Sequence, residues 1–191
     1  MDLGKLDELK ELILRYSFRI GDFTLTSGAK SNYYIDMKPT MCHPDGAVLI
    51  AQLILELMEE GGVEPDGVGG MELGAVYPTV AVQVVAALQG KKLTVFTTRK
   101  EAKGHGTKRK IEGCAQKGDK VVVIEDVTTT GGSALKSVQS ATDAGMEVLA
   151  VISLVNRCQG ADQVFAEAGI PLYCLFKVGG TEEKPEIIFA S

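Results

Sequence analysis

Short runs of valine, isoleucine and leucine alternate with helical patterns through most of this chain, and that alternation leaves few folds open. Residues 67–71, 93–97, 121–125, 148–155 and 172–176 read as strands. Helices are expected at 76–88 and 133–144, with another near 161–168 ahead of the last strand. Strands apolar on both faces belong to a sheet covered on both sides, and a strand, helix, strand order makes that sheet parallel. The expected class is α/β, a mainly parallel central sheet flanked by helices. Such open sheets bind ligands in the crevice at the carboxyl ends of their strands. Function is therefore to be sought in the residues that follow each strand.

Upstream, Leu6, Leu9, Ile13 and Tyr16 set an amphipathic helix over residues 5–18 that closes near Gly21. Residues 23–36 hold two β-favouring runs around Ser27-Gly28, a hairpin or a pair of short strands. His43-Pro-Asp-Gly starts a long apolar helix to about Glu60, with Pro44 in the first turn, where its missing N–H is harmless. With 191 residues and no linker or repeat, one domain is expected. The longest apolar runs fall far short of the ~18 residues that span a bilayer, and the acidic N-terminal stretch lacks a signal core. A cytoplasmic protein without membrane contact is expected. Cys42, Cys114, Cys158 and Cys174 are scattered, without a C-x-x-C pair or a nearby histidine, and read as free thiols. A net charge of −5 argues against broad nucleic-acid binding.

The most informative stretch is Val121-Val-Val-Ile-Glu-Asp-Val-Thr-Thr-Thr-Gly-Gly-Ser133, a buried strand running into two acids, three threonines and two glycines before a helix. Glycines let the backbone approach a ligand, hydroxyls donate hydrogen bonds, and the helix start offers unpaired N–H groups to an anion. A phosphate monoester fits that nest, and Glu125 and Asp126 are placed as acceptors for vicinal sugar hydroxyls. The loop is neither a Walker A motif nor a G-x-G-x-x-G dinucleotide turn. Taken alone, it also reads as a turn with an N-cap at Ser133.

Residues 99–110 contain six lysines and arginines, His105, and a single acid, Glu101. They lack an apolar period and form a loop, with Gly104 and Gly106 flanking His105. By itself a basic loop is a solvated surface or a nucleic-acid contact. Beside a ribose phosphate site it becomes a cationic cover for an anionic leaving group, whose developing charge it would stabilise.

The strand-Glu-Asp-Val-Thr-Thr-Thr-Gly-Gly-Ser pattern resembles the signature of type I phosphoribosyltransferases, and Arg99-Lys-Glu-Ala-Lys-Gly-His-Gly106 resembles the catalytic loop of the orotate phosphoribosyltransferase family. Residues 23–34, 69–75 and 152–157 are similar to segments of the same family. The resemblance implies a small N-terminal hood over about residues 1–40, a flexible catalytic loop, and transfer of phosphoribosyl from 5-phosphoribosyl 1-diphosphate to orotate in pyrimidine synthesis. It implies that Arg99, Lys100, Lys103 and His105 contact the diphosphate, with Lys103, His105 and Arg99 catalytic. It assigns the ribose 5-phosphate to Glu125, Asp126, Val127, Thr128, Thr129, Thr130, Gly131, Gly132 and Ser133, and orotate to Thr129, Arg157, Tyr33 and Tyr34. Mg²⁺ held mainly through substrate, and a homodimer whose loop 99–110 reaches the neighbouring active site, are implied as well.

Four positions depart from the family pattern: Thr26 and Leu73-Gly-Ala-Val76 stand where lysines are common, Asn156 where an Asp precedes the arginine, and Glu125 where the first acid is an Asp. Strand alternation packs one of Tyr33 and Tyr34 into the core, and Arg157 alone reads as a surface arginine at a strand end. Two rivals remain: a phosphoribosyltransferase for another base, which Arg157 and the basic loop oppose, and a ligand-sensing regulator, for which no DNA-binding module is visible.

Overall fold

A computed structural model describes residues 1–24, 28, 30–100, 110–181 and 183–190. The chain opens with α1 (Leu3–Tyr16), whose first turn is capped by the Asp2 carboxylate accepting from the N–H groups of Gly4 and Lys5. An antiparallel ribbon follows, β1 (Phe18–Thr24) and β2 (Lys30–Ile35), then the short α2 (Lys38–Met41) and the long α3 (Pro44–Glu60). The remaining elements are β3 (Gly67–Met71), α4 (Val76–Leu88), β4 (Thr94–Thr98), β5 (Ile111–Gly113), β6 (Lys120–Thr128), α5 (Gly132–Asp143), β7 (Glu147–Asn156), α6 (Ala161–Glu167), β8 (Leu172–Gly180) and β9 (Pro185–Phe189). The larger sheet has the order β5-β4-β3-β6-β7-β8-β9. Its five inner strands are parallel, and β5 and β9 run antiparallel at the edges.

Residue alternation along β6 builds two cores. Val121 and Val123 pack into a cluster with Phe96, Ala134, Val138 and Phe165, beneath α5 and α6. Val122 and Ile124 face the opposite side, with Leu53, Ile54 and Val82 of α3 and α4. Each of these large side chains contributes about 1.5–3 kcal/mol by leaving water. Because β6 is apolar on both faces it has no exposed side, and its carboxyl end is fixed from both layers.

The boundaries of β3 and α4 coincide with the sequence reading, and α5 starts one residue earlier than expected. Other elements differ. The first helix ends at Tyr16 with Ser17 as its cap, not near Gly21, because Phe18 pairs with Ile35 in the ribbon. The strand at 172–176 runs on to Gly180 and is not the last, since β9 pairs with its second half from Phe176↔Phe189 to Gly180↔Pro185. Likewise β6 continues three residues beyond Glu125, held by β7 as far as Thr128↔Asn156. Asp126, Val127 and Thr128 thus belong to the strand that the sequence reading closed at Glu125.

Candidate active site

Sequential strands leave β3 in one direction, to β4, and β6 in the other, to β7, so the winding of the sheet reverses between β3 and β6. A crevice opens at such a switch point. Strand β6 pairs with β3 from Gly67↔Val121 to Gly69↔Val123, and its next residues carry Glu125 and Asp126 toward the loop that follows β3. That loop comes close: a Cβ added to Gly74 would sit 2.5 Å from Asp126 Oδ1. A side chain at 74 would push the Asp126 carboxylate from its place.

Beyond the strand, Thr129, Thr130 and Gly131 turn into α5. Gly131 has φ +83°, a left-handed conformation natural only to glycine, and a Cβ there would also lie 3.0 Å from the Phe165 ring. Residues Glu125 and Val127 to Ala134 enclose a concavity of about 80 Å³, room for one tetrahedral oxyanion at the start of a helix. Thr128 is buried and Thr130 exposed.

The two acids are under electrostatic stress. Glu125 is 9% exposed, and its Oε2, like Thr128 Oγ1, is buried without a hydrogen-bond partner among the described residues. Burial pushes the Glu125 carboxyl up to about 8, the charge of Asp126 adds to the rise, and Lys100 opposes it. Asp126 is also raised by burial, against a bond from the Val127 N–H at 2.9 Å and the charge of Lys38. Glu125 Oε2 thus calls for a donor that the described residues do not supply. Sugar hydroxyls are such donors.

A second wall rises at the end of β7. The N–H of Arg157 donates to the carbonyl of Thr128 at 2.8 Å, tying the residue to the phosphate loop. Its Nε donates to Tyr33 Oη at 3.0 Å, Nη2 to Ser31 Oγ at 3.3 Å, and the guanidinium lies 4.5 Å from the Tyr33 ring centre. Tyr33, Arg157, Lys30, Ser31 and the β8–β9 turn line a cleft of about 790 Å³. Tyr33 is buried and Tyr34 is 43% exposed, as alternation required. Tyr34 turns to the other face of the ribbon, against Phe23, and is not among the residues lining this cleft.

Arg99 and Lys100 follow β4. Arg99 reaches Glu112 on β5 through Nε and Nη2, at 3.1 and 2.9 Å, and its N–H donates to the Lys110 carbonyl. The basic segment therefore leaves and re-enters the fold at one point, beside the crevice. Lys103 and His105, together with Thr26, lie outside the described residues.

Sequence reasoning missed several residues here. Lys38 pairs with Asp36 at 2.7 Å, and its charge is felt by Asp126. Ser31 holds Arg157, and Gly74 makes room for Asp126. Asp36 and Lys38 directly follow the tyrosine strand, which was the one available signal. Contacts across 126 positions, such as Ser31 to Arg157, leave none. Among the described residues no group of three His, Cys, Asp or Glu side chains is disposed to hold a metal.

No family model matches the chain. The orotate phosphoribosyltransferase of Bradyrhizobium sp. strain BTAi1 is 43% identical over 173 residues, which cover 88% of this chain and 92% of that protein. Among solved structures, the orotate phosphoribosyltransferase of Mycobacterium tuberculosis H37Rv superposes with a TM-score of 0.79 at 36% identity, covering 89% of this chain and 94% of its own. The same enzyme in complex with 5-phospho-α-D-ribosyl 1-diphosphate gives 0.75 at 29% identity, covering 93% and 91%.

Proposed function

Because this chain belongs to the orotate phosphoribosyltransferase family, we propose that its crevice transfers the phosphoribosyl group of 5-phosphoribosyl 1-diphosphate to N1 of orotate, releasing diphosphate on the way to UMP. The observation that carries this reading is the main-chain bond from the Arg157 N–H to the Thr128 carbonyl, which joins the arginine of the cleft to the loop that encloses a phosphate-sized concavity. Residues 125–133 hold the ribose 5-phosphate, with Glu125 and Asp126 accepting from its vicinal hydroxyls. Arg157 and Thr129 take the anionic, carbonyl-rich pyrimidine, with Tyr33 behind the guanidinium.

The bond from C1 of the sugar to diphosphate breaks with its electron pair leaving on oxygen, and N1 of the orotate anion supplies the pair for the new bond. The proton on N1 passes to water or to the departing diphosphate as the bond forms, so no dedicated general base is assigned. Arg99, Lys100, Lys103 and His105 are the groups for the leaving diphosphate, with Lys103 and His105 foremost. Magnesium would be held mainly through substrate oxygens, and the unpartnered Glu125 Oε2 is an oxygen of the hard kind it accepts. When bound, it would neutralise diphosphate charge.

A homodimer is part of the same proposal. Tyr77, Val80, Val84 and Leu88 are all exposed and follow helical spacing down one side of α4, with exposed Leu73 in the turn ahead of it, an apolar stripe of the kind that marks an interface. By the family resemblance, loop 99–110 of one copy would serve the neighbouring active site of such a dimer. Val84→Asp is expected to shift the mass measured by light scattering from dimer to monomer and to lower turnover several-fold. A dimer that persists in this variant would remove the stripe from the interface. One domain spanning residues 1–191, with α1 and the ribbon as its hood, and a cytoplasmic location complete the reading; no described helix is long and apolar enough to cross a membrane.

The test is the fall in orotate ultraviolet absorbance with purified protein, magnesium and donor, with uracil and adenine as competing acceptors. Loss of absorbance that needs every component, and that neither competitor slows, is expected. Bound donor with untouched orotate would instead assign the site to another base.

A further inference from the structure

We propose that Asn156 is the positioning residue that aims Arg157 into the cleft, through an amide clamp closed by Asp162. The inference rests on the reading that Arg157 binds orotate. Asn156 is the last residue of β7 and is fully buried. Its Oδ1 accepts from the Cys158 N–H at 2.8 Å, bridging across Arg157, and its Nδ2 donates to Asp162 Oδ2 at 3.0 Å in the first turn of α6. The bridge holds Cys158 at φ +55°, a left-handed conformation uncommon for a side chain of this kind. Arg157 is thus set between two fixed neighbours, with its own N–H pinned to Thr128. From that fixed start the side chain extends to Tyr33 and Ser31, whose bonds hold its guanidinium.

The clamp uses both ends of the amide, one as acceptor and one as donor. A carboxylate at 156 would keep the bond from Cys158 but face the Asp162 carboxylate, with no proton between them. Here Asp162 and Asn156 act as a matched pair. The match predicts that exchanging the two side chains preserves both bonds: a carboxylate at position 156 would accept from the Cys158 N–H and from an amide at position 162.

The experiment compares Asn156→Asp, Asp162→Asn and the double exchange, with KM for orotate and for 5-phosphoribosyl 1-diphosphate measured separately and thermal midpoints recorded. Asn156→Asp is expected to raise the orotate KM about tenfold while the donor KM stays within about twofold. The exchange should bring the orotate KM back to within about threefold of the parent. Equal changes in both KM values that track the loss of thermal stability would reduce Asn156 to a structural residue and overturn the proposal, as would an unaltered orotate KM or an exchange that does not restore it. A parent protein that leaves orotate untouched would instead overturn the assigned reaction.

Discussion

Arg157→Ala is expected to lower kcat/KM for orotate by about two to three orders of magnitude while leaving the dissociation constant of 5-phosphoribosyl 1-diphosphate within about twofold. The guanidinium offers several donors in a planar fork, and an orotate anion presents a carboxylate and ring carbonyls to receive them. Two charge-assisted bonds lost together cost roughly 3–4 kcal/mol, which converts to that factor. Arg157→Lys keeps the charge but loses the fork and the flat contact 4.5 Å above Tyr33, and should fall between the two. Stability should respond less than activity, by about 1 kcal/mol. The bonds to Tyr33 and Ser31 do help hold the ribbon against β7, but the Tyr33 hydroxyl can turn to water once they are gone. Steady-state kinetics in both substrates, with calorimetric donor binding, separates the outcomes. Donor affinity falling in step with orotate would show that Arg157 shapes the whole site and does not read the base.

The parts of this site that the sequence made legible are those built from neighbours in the chain. An apolar strand, two acids, a threonine-glycine loop and a helix start occupy 13 consecutive residues at 121–133, and their order alone implies a phosphate cradle. Elements with strong internal patterns, such as β3 and α4, were likewise readable to the residue. The edge strands were not. β5 is three residues long and ends in Gly113, and β9 begins with Pro185, so neither shows the apolar run that marked the inner strands. Their strand character comes from β4 and β8 beside them, a tertiary effect that local propensity does not carry. The extension of β6 past Glu125 has the same origin. Arg157 was identified only through family resemblance, because its partners Tyr33 and Ser31 lie on the far side of the chain. The apolar Leu73-Gly-Ala-Val76 segment, read as a departure, contains the glycine against which the Asp126 carboxylate lies.

Glu125→Gln is expected to stabilise the empty protein at pH 9 and to leave its stability at pH 5 almost unchanged. In the folded protein burial holds the Glu125 carboxyl protonated up to about pH 8, whereas in the unfolded chain it ionises near its ordinary value of 4.5. Its folded pKa is thus raised. The associated stability is fully present below about pH 4.5 and is lost as the pH climbs toward 8, because the unfolded chain gives up the proton first. A difference of this size corresponds to at most ~5 kcal/mol, and relaxation around the ionised group should leave a few kcal/mol of it. Asp126, raised in the same direction, adds to the slope. Gln at 125 removes the ionisation, so its thermal midpoint should exceed the parent's by roughly 5–10 °C at pH 9. The substitution should also weaken donor binding, since an amide offers one acceptor where the carboxylate offers two. Here the strain has a use. Ribose hydroxyls donating to Glu125 favour its ionised form, so donor binding should release a proton and tighten between pH 6 and 8, by no more than about tenfold per pH unit. Calorimetry in two buffers of different ionisation enthalpy reads that proton directly. Melting curves for parent and Gln variant that stay parallel from pH 5 to 9, with no proton released on donor binding, would mean that Glu125 is already ionised in the empty site and that its buried oxygen finds a partner before the sugar arrives.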